Sequence, residues 1–273
     1  MILMVQQTTL EHDLIGTVAL IAGGSKGIGA DAARAFAAAG AAVVIGARDQ
    51  PLLQKLAAEI SEAGGRAVGV RSDVTVAEDC QALVDTAVEQ FGRLDFAFNN
   101  ATGGHRPALL ADITLEEFDR EIATNVRGTF LGMKAQIPAM LKSGGGAIVN
   151  MASVAGLTAT ARLAPYVAGK AGIIGLSRVA ALDYADQGIR VNAIAPGPIR
   201  THHIESAGER AQQLAAQSVP IQRMGAPAEV SEVVLWLCSS AASYVTGAVI
   251  PIDGGQSAGL RPSRNYEPGK PMD

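Results

Sequence analysis

Residues 18–29 read VALIAGGSKGIG, an apolar β-branched run followed at once by a glycine-rich loop. Such a run is typical of a strand buried on both faces, and the alanine-rich stretch after Gly29 is typical of a helix. Glycines at this junction let the backbone approach a pyrophosphate, while the first helical turn offers unpaired N–H groups. The order of strand, loop and helix therefore predicts a dinucleotide site. Its residues are Gly23, Ser25, Lys26, Gly27, Ile28 and Gly29.

The same alternation of short apolar runs and alanine-rich stretches continues along the chain. Strands that alternate with helices form a parallel sheet with helices on both faces, so the predicted class is α/β with a doubly wound seven-stranded parallel sheet. The predicted strands lie near Val18–Ile21, Ala42–Ile45, Ala67–Val70, Leu94–Phe98, Ala147–Asn150, Arg190–Ala195 and Ala248–Ile252. No linker divides residues 14–258, which we predict to be a single domain between two arms, 1–13 and 259–273. Residues 198–217 have the length and mixed polarity of a small substrate lid.

The composition argues against several kinds of partner. The chain has 273 residues and a formal net charge of −4, with no Lys or Arg before Lys26. We therefore expect no nucleic-acid surface and no targeting peptide, because both need basic residues. No apolar run has membrane-spanning length. Two cysteines are too few for a disulfide framework, and the pair His202-His203 has no further ligand nearby, so we predict no metal and a cytoplasmic location.

The end of the second predicted strand indicates which dinucleotide to expect. A carboxylate there would bind the ribose 2′-hydroxyl of NAD, but the chain has Gly46-Ala47-Arg48. A guanidinium can bind a 2′-phosphate through paired hydrogen bonds, and Lys26 would add a second cation. We therefore predict NADP in preference to NAD. Two alternatives stay open: both cations are ordinary solvated charges, or Asp49 binds a ribose hydroxyl or neutralises Arg48.

A second feature lies downstream, where Tyr166 and Lys170 stand four residues apart in PYVAGK and Ser153 precedes the tyrosine by thirteen residues. Four residues is about one helical turn, so the phenol and the ammonium emerge on one helix face. A nearby cation favours the phenolate, and we expect Lys170 to lower the pKa of Tyr166. This spacing often arises by chance, so its weight comes from its combination with the glycine loop.

Together these motifs resemble the short-chain dehydrogenase/reductase family over nearly the whole chain. The resemblance implies a Rossmann-type fold and hydride exchange between a nicotinamide cofactor and a small-molecule secondary alcohol or carbonyl. Besides the glycine loop, it rests on the positions of the family's adenine-contacting pair, its Asn-Asn-Ala-Gly motif and its nicotinamide contacts. The cofactor residues that it implies here are Asp73, Val74, Asn99, Ala101, Pro196, Gly197, Ile199 and Thr201, with Tyr166 and Lys170.

The family's catalytic tetrad falls on Asn125, Ser153, Tyr166 and Lys170. The resemblance implies that Ser153 binds the substrate oxygen and that Tyr166 exchanges its proton. It also implies that Lys170 binds nicotinamide-ribose hydroxyls and that Asn125 holds a water that passes protons toward Lys170.

Two positions depart from the family pattern. Ala22 stands where Thr is usual, and Thr102 replaces the glycine that closes Asn-Asn-Ala-Gly. We expect the first to cost a hydrogen bond between the loop and the Asn99 turn. The second should restrict the backbone conformations available at position 102, since threonine resists positive φ. Both changes bear on cofactor affinity.

The substrate walls are expected from the segments Thr102–Leu109, Val154–Leu163 and Pro198–Gln217. Their apolar candidates are Leu157, Leu163 and Ile199, and their polar candidates are His105, Arg162, His202 and His203. Two other functions stay open. One is reduction of 3-oxoacyl thioesters, for which Arg106, Arg127 and Arg162 would have to attract an acidic carrier protein. The other is a dinucleotide-binding sensor without catalysis.

The resemblance implies a homotetramer or a dimer, and we expect a homotetramer. The helix around Tyr166 carries small and apolar residues on more faces than one buried side requires, and a partner subunit would cover them. These residues include Ala168, Ala171, Ile174, Val179 and Ala180. The terminal strand and the helix Ala228–Leu237 would make a second contact.

Overall fold

A computed structural model describes residues 14–104, 106–201 and 208–259. Its seven strands form one sheet in the order β3-β2-β1-β4-β5-β6-β7, and every neighbouring pair is parallel. The strands are β1 (Val18–Ala22), β2 (Ala42–Ala47), β3 (Arg66–Arg71), β4 (Phe96–Asn99), β5 (Gly146–Met151), β6 (Ile189–Pro196) and β7 (Val249–Ile252). The predicted α/β class and the seven-stranded parallel sheet are confirmed.

Helices follow the strands and cover both faces of the sheet. In the described ranges they are α1 (Gly27–Ala38), α2 (Gln50–Glu62), α3 (Ala77–Phe91), α4 (Leu115–Ile122), α5 (Gly128–Lys142), α6 (Val154–Leu157), α7 (Ala164–Tyr184), α8 (Glu209–Gln217) and α9 (Pro227–Cys238). A π-helical turn, Ala123–Arg127, joins α4 to α5. None of the helices described here is long and apolar enough to cross a membrane.

Two strands begin later than predicted. Strand β4 begins at Phe96 rather than Leu94, because the Leu94 N–H donates to the Ser143 hydroxyl at 3.0 Å. Strand β7 begins at Val249 rather than Ala248, whose N–H donates to Asn192 Oδ1 at 3.0 Å. In both cases a side chain accepts from the N–H of the residue that was predicted to begin the strand.

The core explains why the strands read as continuous apolar runs. In β1, Ala19 and Ile21 pack with α1, α2 and α9 on one face of the sheet. Leu20 and its alternate neighbours pack with α3, α5 and α7 on the other face. Leu20 and Ile21 are both fully buried. Apolar side chains are needed at successive positions because each face of the sheet is covered.

A buried amide network supports the ends of β4 and β5. The Asn99 amide donates to Gln136 Oε1 at 3.1 Å and to Asn150 Oδ1 at 2.9 Å. The Gln136 amide returns a bond to Asn99 Oδ1 at 2.8 Å, and the Asn150 amide donates to Ser177 at 2.9 Å. Buried polar groups need such partners, and the network ties α5 and α7 to the carboxyl edge of the sheet.

Candidate active site

The glycine loop leaves β1 with a backbone that only glycine adopts without strain. Gly23 has φ +79° and Gly27 has φ +53°. A Cβ built on Gly23 would lie 2.6 Å from Ala101 Cα, so the two backbones approach closely here. Lys26, at the N-cap of α1, makes no side-chain capping bond. The first N–H groups of α1 therefore suit a pyrophosphate, and the loop fits a dinucleotide.

Asn100 ties this loop to the end of β4. Its N–H donates to the Ala22 carbonyl at 2.9 Å, and its side-chain amide donates to the Gly23 carbonyl at 2.7 Å. The expected loss of a hydrogen bond at Ala22 is thus offset, because Asn100 makes the connection in its place. Asn99 points its side chain into the amide network instead.

A cleft of about 620 Å³ opens beyond the loop, at the carboxyl ends of the strands. Ten predicted site residues line it: Lys26, Gly27, Ile28, Ser153, Tyr166, Lys170, Pro196, Gly197, Ile199 and Thr201. Sequence reasoning did not assign a site role to Asn100, Met151 and Ala152, which also line it. Asn100 belongs to the stretch that resembles Asn-Asn-Ala-Gly, and the signal for Met151 and Ala152 was that they end or follow a strand at this edge.

Ser153 and Tyr166 present two hydroxyl groups in the cleft. Ser153 caps α6 by accepting from the Ala155 N–H at 3.2 Å, and only 8% of the residue is exposed. The two side chains are hydrogen bonded to each other. Ser153 at the N-cap of α6 and Tyr166 on α7 thus bring together two hydroxyl donors that are thirteen residues apart in the sequence.

Lys170 lies beneath this pair and is 1% exposed. Its ammonium donates to the Met151 carbonyl at 2.9 Å and lies 5.5 Å from the centroid of the Tyr166 ring. Burial lowers the pKa of Lys170 to about 7, while the charge of Glu121 opposes this shift. A group that titrates near neutral pH can exchange protons readily.

The expected effect of Lys170 on Tyr166 is wrong for the protein alone. Burial raises the pKa of Tyr166 above its ordinary value. The hydrogen bond with Ser153 lowers this pKa and the charge of Glu121 raises it, both by less than burial. Desolvation opposes the phenolate more strongly than its neighbours favour it, so the phenol is the preferred form.

Asn125 lies in the π-helical turn between α4 and α5 and is fully buried. Its amide donates to the main-chain oxygen of Glu121 at 3.0 Å and to Glu121 Oε2 at 3.1 Å. Its Oδ1 accepts from the Thr102 hydroxyl at 3.3 Å. π-Helical turns are frequent at functional sites, because they redirect side chains within a helix. Nothing in the residue pattern predicts this turn.

The Thr102 backbone does not have the positive φ that we expected to be a problem. Among the described residues other than glycine, positive φ occurs at Arg162 and Gln222. Threonine is therefore unstrained here, and its hydroxyl reaches a tetrad residue that glycine could not contact.

Comparison with known proteins identifies the family. A family model described as enoyl-(acyl carrier protein) reductase matches residues 22–257. The A-factor type gamma-butyrolactone 1′-reductase (1S-forming) of Streptomyces virginiae is 44% identical over 89% of this chain and 96% of that protein. The cyclohexanol dehydrogenase of Acinetobacter sp. (strain SE19) is 41% identical over 87% of this chain and 93% of its own. A solved 7α-hydroxysteroid dehydrogenase, complexed with NADH and 7-oxo glycochenodeoxycholic acid, matches with a TM-score of 0.85 and 35% identity over 90% of this chain and 96% of that one.

This chain belongs to the short-chain dehydrogenase/reductase family. It is therefore an oxidoreductase of CH–OH and C=O groups that uses a nicotinamide cofactor. The resemblance drawn from the separated motifs is confirmed, and so is the enzyme class.

The charges at the end of β2 are arranged in a way that bears on the choice of cofactor in this short-chain dehydrogenase. Asp49 accepts from the Leu52 N–H at 3.3 Å as the N-cap of α2. Its other oxygen lies 3.8 Å from the Lys26 ammonium. Arg48 is exposed at the same edge. Asp49 thus pairs with Lys26 rather than with Arg48.

Asp73 and Val74, which are predicted to contact adenine, also shape the turn after β3. The Asp73 carboxylate accepts from the Thr75 N–H at 2.9 Å and from its hydroxyl at 2.7 Å. The bond from the Thr75 backbone is the largest cause of the lowered pKa of Asp73. Val74 packs on α5, where a Cβ on Gly128 would lie 3.0 Å from it. Both residues lie at the sheet edge but outside the main cleft.

The predicted substrate walls are partly correct. Leu163 and Ile199 line the cleft, as do Thr102, Gly103 and Gly104 from the first predicted segment. Leu157 does not line it, and 39% of this residue is exposed to solvent. The exposed Arg162 does not line it either. His105, His202 and His203 lie outside the described residues, as does residue range 202–207 of the predicted lid.

Metal-binding side chains do not cluster in the part of the chain that the structure describes, where no three His, Cys, Asp or Glu residues converge. Cys80 and Cys238 are both buried and free. Burial raises the pKa of Cys80 to about 11 and that of Cys238 to about 12, so neither is a reactive thiolate near neutral pH.

Replacing Gly23 by Ala should weaken dinucleotide binding. The methyl group would collide with Ala101, and positive φ is strained in alanine, so the loop must open. We expect the affinity for NADPH to fall about tenfold or more, corresponding to about 1.4 kcal/mol, measured by fluorescence titration. Gly16→Ala is a matched control, because Gly16 has the same φ of +79° but no atom within 4 Å of its built Cβ. Equal losses in both variants would contradict this account.

Proposed function

We propose that the protein is an NADP(H)-dependent oxidoreductase that transfers hydride between nicotinamide and a secondary alcohol or carbonyl substrate. The observation that carries this proposal is the hydrogen-bonded pair of Ser153 and Tyr166 hydroxyls, which faces the cleft above the buried Lys170 ammonium. A bound nicotinamide would supply or accept the hydride.

The roles follow from the position of each group. In carbonyl reduction, negative charge develops on the substrate oxygen, and two preplaced hydroxyls stabilise it most in the transition state. Ser153 donates a hydrogen bond to that oxygen, and Tyr166 gives up its proton to it. Lys170, anchored by the Met151 carbonyl, would hold the ribose hydroxyls of the cofactor and would return a proton to Tyr166. Asn125 would hold a water that passes protons toward Lys170; it lies beside α7, where a Cβ built on Gly169 would be 3.0 Å from Asn125 Cβ.

The preference for NADP rests on the charges around β2. Asp49 is held by Lys26 and by the N-cap of α2, so it neither neutralises Arg48 nor replaces the carboxylate that would bind an NAD ribose. The exposed Arg48 is left to bind a 2′-phosphate.

The cleft favours a substrate with an apolar body. Leu163, Met151 and Ile199 line it, and the Ser153 and Tyr166 hydroxyls also face it. Two relatives are named for a cyclohexanol and a butyrolactone, both of which are rings. We propose a cyclic secondary alcohol or its ketone as the substrate class.

Reduction of a carrier-bound 3-oxoacyl thioester is less well supported. Arg106, one of the three arginines needed for an acidic partner, instead bonds Glu117 at 2.9 Å and the Asp112 carbonyl at 3.1 Å. Its charge is therefore largely neutralised. A sensor without catalysis would not need a buried lysine beneath a hydroxyl pair.

The Arg48→Ala variant tests the cofactor assignment. Loss of the guanidinium should raise the Michaelis constant for NADPH about tenfold or more, since a charge-assisted hydrogen bond contributes about 1.5–3 kcal/mol. The constant for NADH should change little. Steady-state kinetics with each cofactor measures the two Michaelis constants. The control is Lys55→Ala, which removes an exposed cation on α2. Equal effects on NADPH and NADH would overturn the assignment.

The Tyr166→Phe variant tests the chemistry. It removes the exchanging proton and keeps the ring, so kcat should fall by about 100-fold or more while cofactor affinity changes little. The measurement is turnover of cyclic ketones, together with a fluorescence titration of NADPH. Substantial residual turnover would remove Tyr166 from this role.

We also propose a homotetramer, with a correction to the residues that would form it. Ile174 and Ala180 are buried within the chain and need no partner. Val179 and Leu182 on α7 are 56% and 83% exposed, and Phe130 on α5 is 47% exposed. These side chains would gain most from a second subunit. Sedimentation should give four chains at micromolar concentration, and a monomer would contradict the proposal.

A further inference from the structure

Glu121 is a fully buried carboxylate that the proposed roles leave unused. It lies in the last turn of α4, four residues before Asn125. Burying an ionisable side chain costs several kcal/mol unless its surroundings compensate, so a glutamate at this place needs a reason. Helix α4 packs against α7, which carries Tyr166 and Lys170.

The carboxylate fixes the orientation of Asn125. Its Oε2 accepts from the Asn125 amide at 3.1 Å, and the Glu121 main-chain oxygen accepts from the same amide at 3.0 Å. At the other end, the Thr102 hydroxyl donates to Asn125 Oδ1 at 3.3 Å. Both ends of the amide are therefore held, and the side chain is locked within the π-helical turn.

The loop that follows Thr102 is shaped around this carboxylate. A Cβ built on Gly103 would overlap Glu121 Oε1, whereas a Cβ on Gly104 would meet no atom within 4 Å. Glycine at position 103 thus allows the backbone to pass close to a buried acid. Any larger residue there would have to displace the carboxylate.

The charge of Glu121 acts on the two titrating groups of α7. It raises the pKa of Lys170 against the larger effect of burial, and it raises the pKa of Tyr166 in the same direction as burial. Of the other groups near this point, Arg120 and Arg127 are exposed, Ser153 is a neutral hydroxyl, and His105 lies outside the described residues.

We propose that Glu121 is a positioning residue of the active site, whose buried carboxylate holds the Asn125 amide and places a negative charge beside Tyr166 and Lys170. The charge favours the protonated form of both groups. Protonated Tyr166 is the form that donates to a carbonyl oxygen. This inference rests on the proposed function, in which Tyr166 donates a proton. Its test measures only the ionisation of Tyr166 and needs no turnover.

The test is a pH titration of tyrosinate absorbance in the full chain, without cofactor or substrate. Subtracting the curve of the matching Tyr166→Phe protein isolates Tyr166 from the other tyrosines. In Glu121→Gln the shape and one acceptor oxygen remain, but the charge is lost, so Tyr166 should ionise at lower pH than in the unaltered protein. Histidine is neutral in this alkaline range and does not contribute. An unchanged midpoint would overturn the proposal, because a purely structural role does not move it.

Matched variants keep the result interpretable. Glu116→Gln removes an exposed charge from the same helix and should leave the Tyr166 midpoint unchanged. If Glu121→Gln does not fold, Gly103→Ala displaces the same carboxylate and should lower the midpoint, while Gly104→Ala should not. A midpoint equal to the unaltered protein in Gly103→Ala would then refute the proposal.

The enzymatic readout separates this inference from the proposed function. With a ketone that turns over, the alkaline limb of kcat/KM for reduction should move to lower pH in Glu121→Gln. If no carbonyl turns over but the tyrosinate midpoint still shifts, the proposed function fails and the positioning role of Glu121 stands.

Discussion

All seven strands of the sheet run in the same direction, and this constraint decides where the functional groups lie. Every strand must return over a helix, so the carboxyl ends of the strands collect at one edge. The glycine loop after β1, Asn100 after β4, Ser153 after β5 and Pro196 at the end of β6 all reach this edge. Residues that are far apart in the sequence therefore line a single cleft. The amide network around Asn99 and Asn150 stabilises the two central strand ends on which this arrangement depends.

Burial of charge determines the chemistry at that edge. Lys170 is held out of water by the Met151 carbonyl, and the resulting desolvation brings its pKa to about 7. The same dry environment raises the pKa of Tyr166, so the phenol remains protonated in the protein alone. Glu121 acts on both groups in the direction of protonation. In the protein alone Tyr166 is therefore a neutral phenol, and the direction of its pKa shift is set by desolvation rather than by the lysine charge.

Sequence periodicity predicted the fold well because the five inner strands are largely buried on both faces and are flanked by helices. The glycine loop and the Ser153, Tyr166 and Lys170 motif were also readable, since local geometry fixes their spacing. Other features could not be read. The π-helical turn at Asn125 has no periodic signature, and the sign of the Tyr166 shift depends on burial in the folded chain. Glu121 looked like an ordinary helix glutamate, because its contacts come from a loop and from another helix. Leu157 was misplaced because α6 leaves it facing solvent.

The most direct test of the central claim follows the hydride itself. NADPH carrying two deuterium atoms at C4 would be mixed with an excess of the protein and a cyclic ketone, and the product alcohol would be analysed by mass spectrometry. Hydride transfer to the carbonyl carbon predicts one deuterium on the carbinol carbon of the alcohol, with matching loss of NADPH absorbance in a single turnover. Binding of NADPH without deuterium transfer to any ketone in a broad panel would contradict it and would indicate a dinucleotide-binding protein without this chemistry.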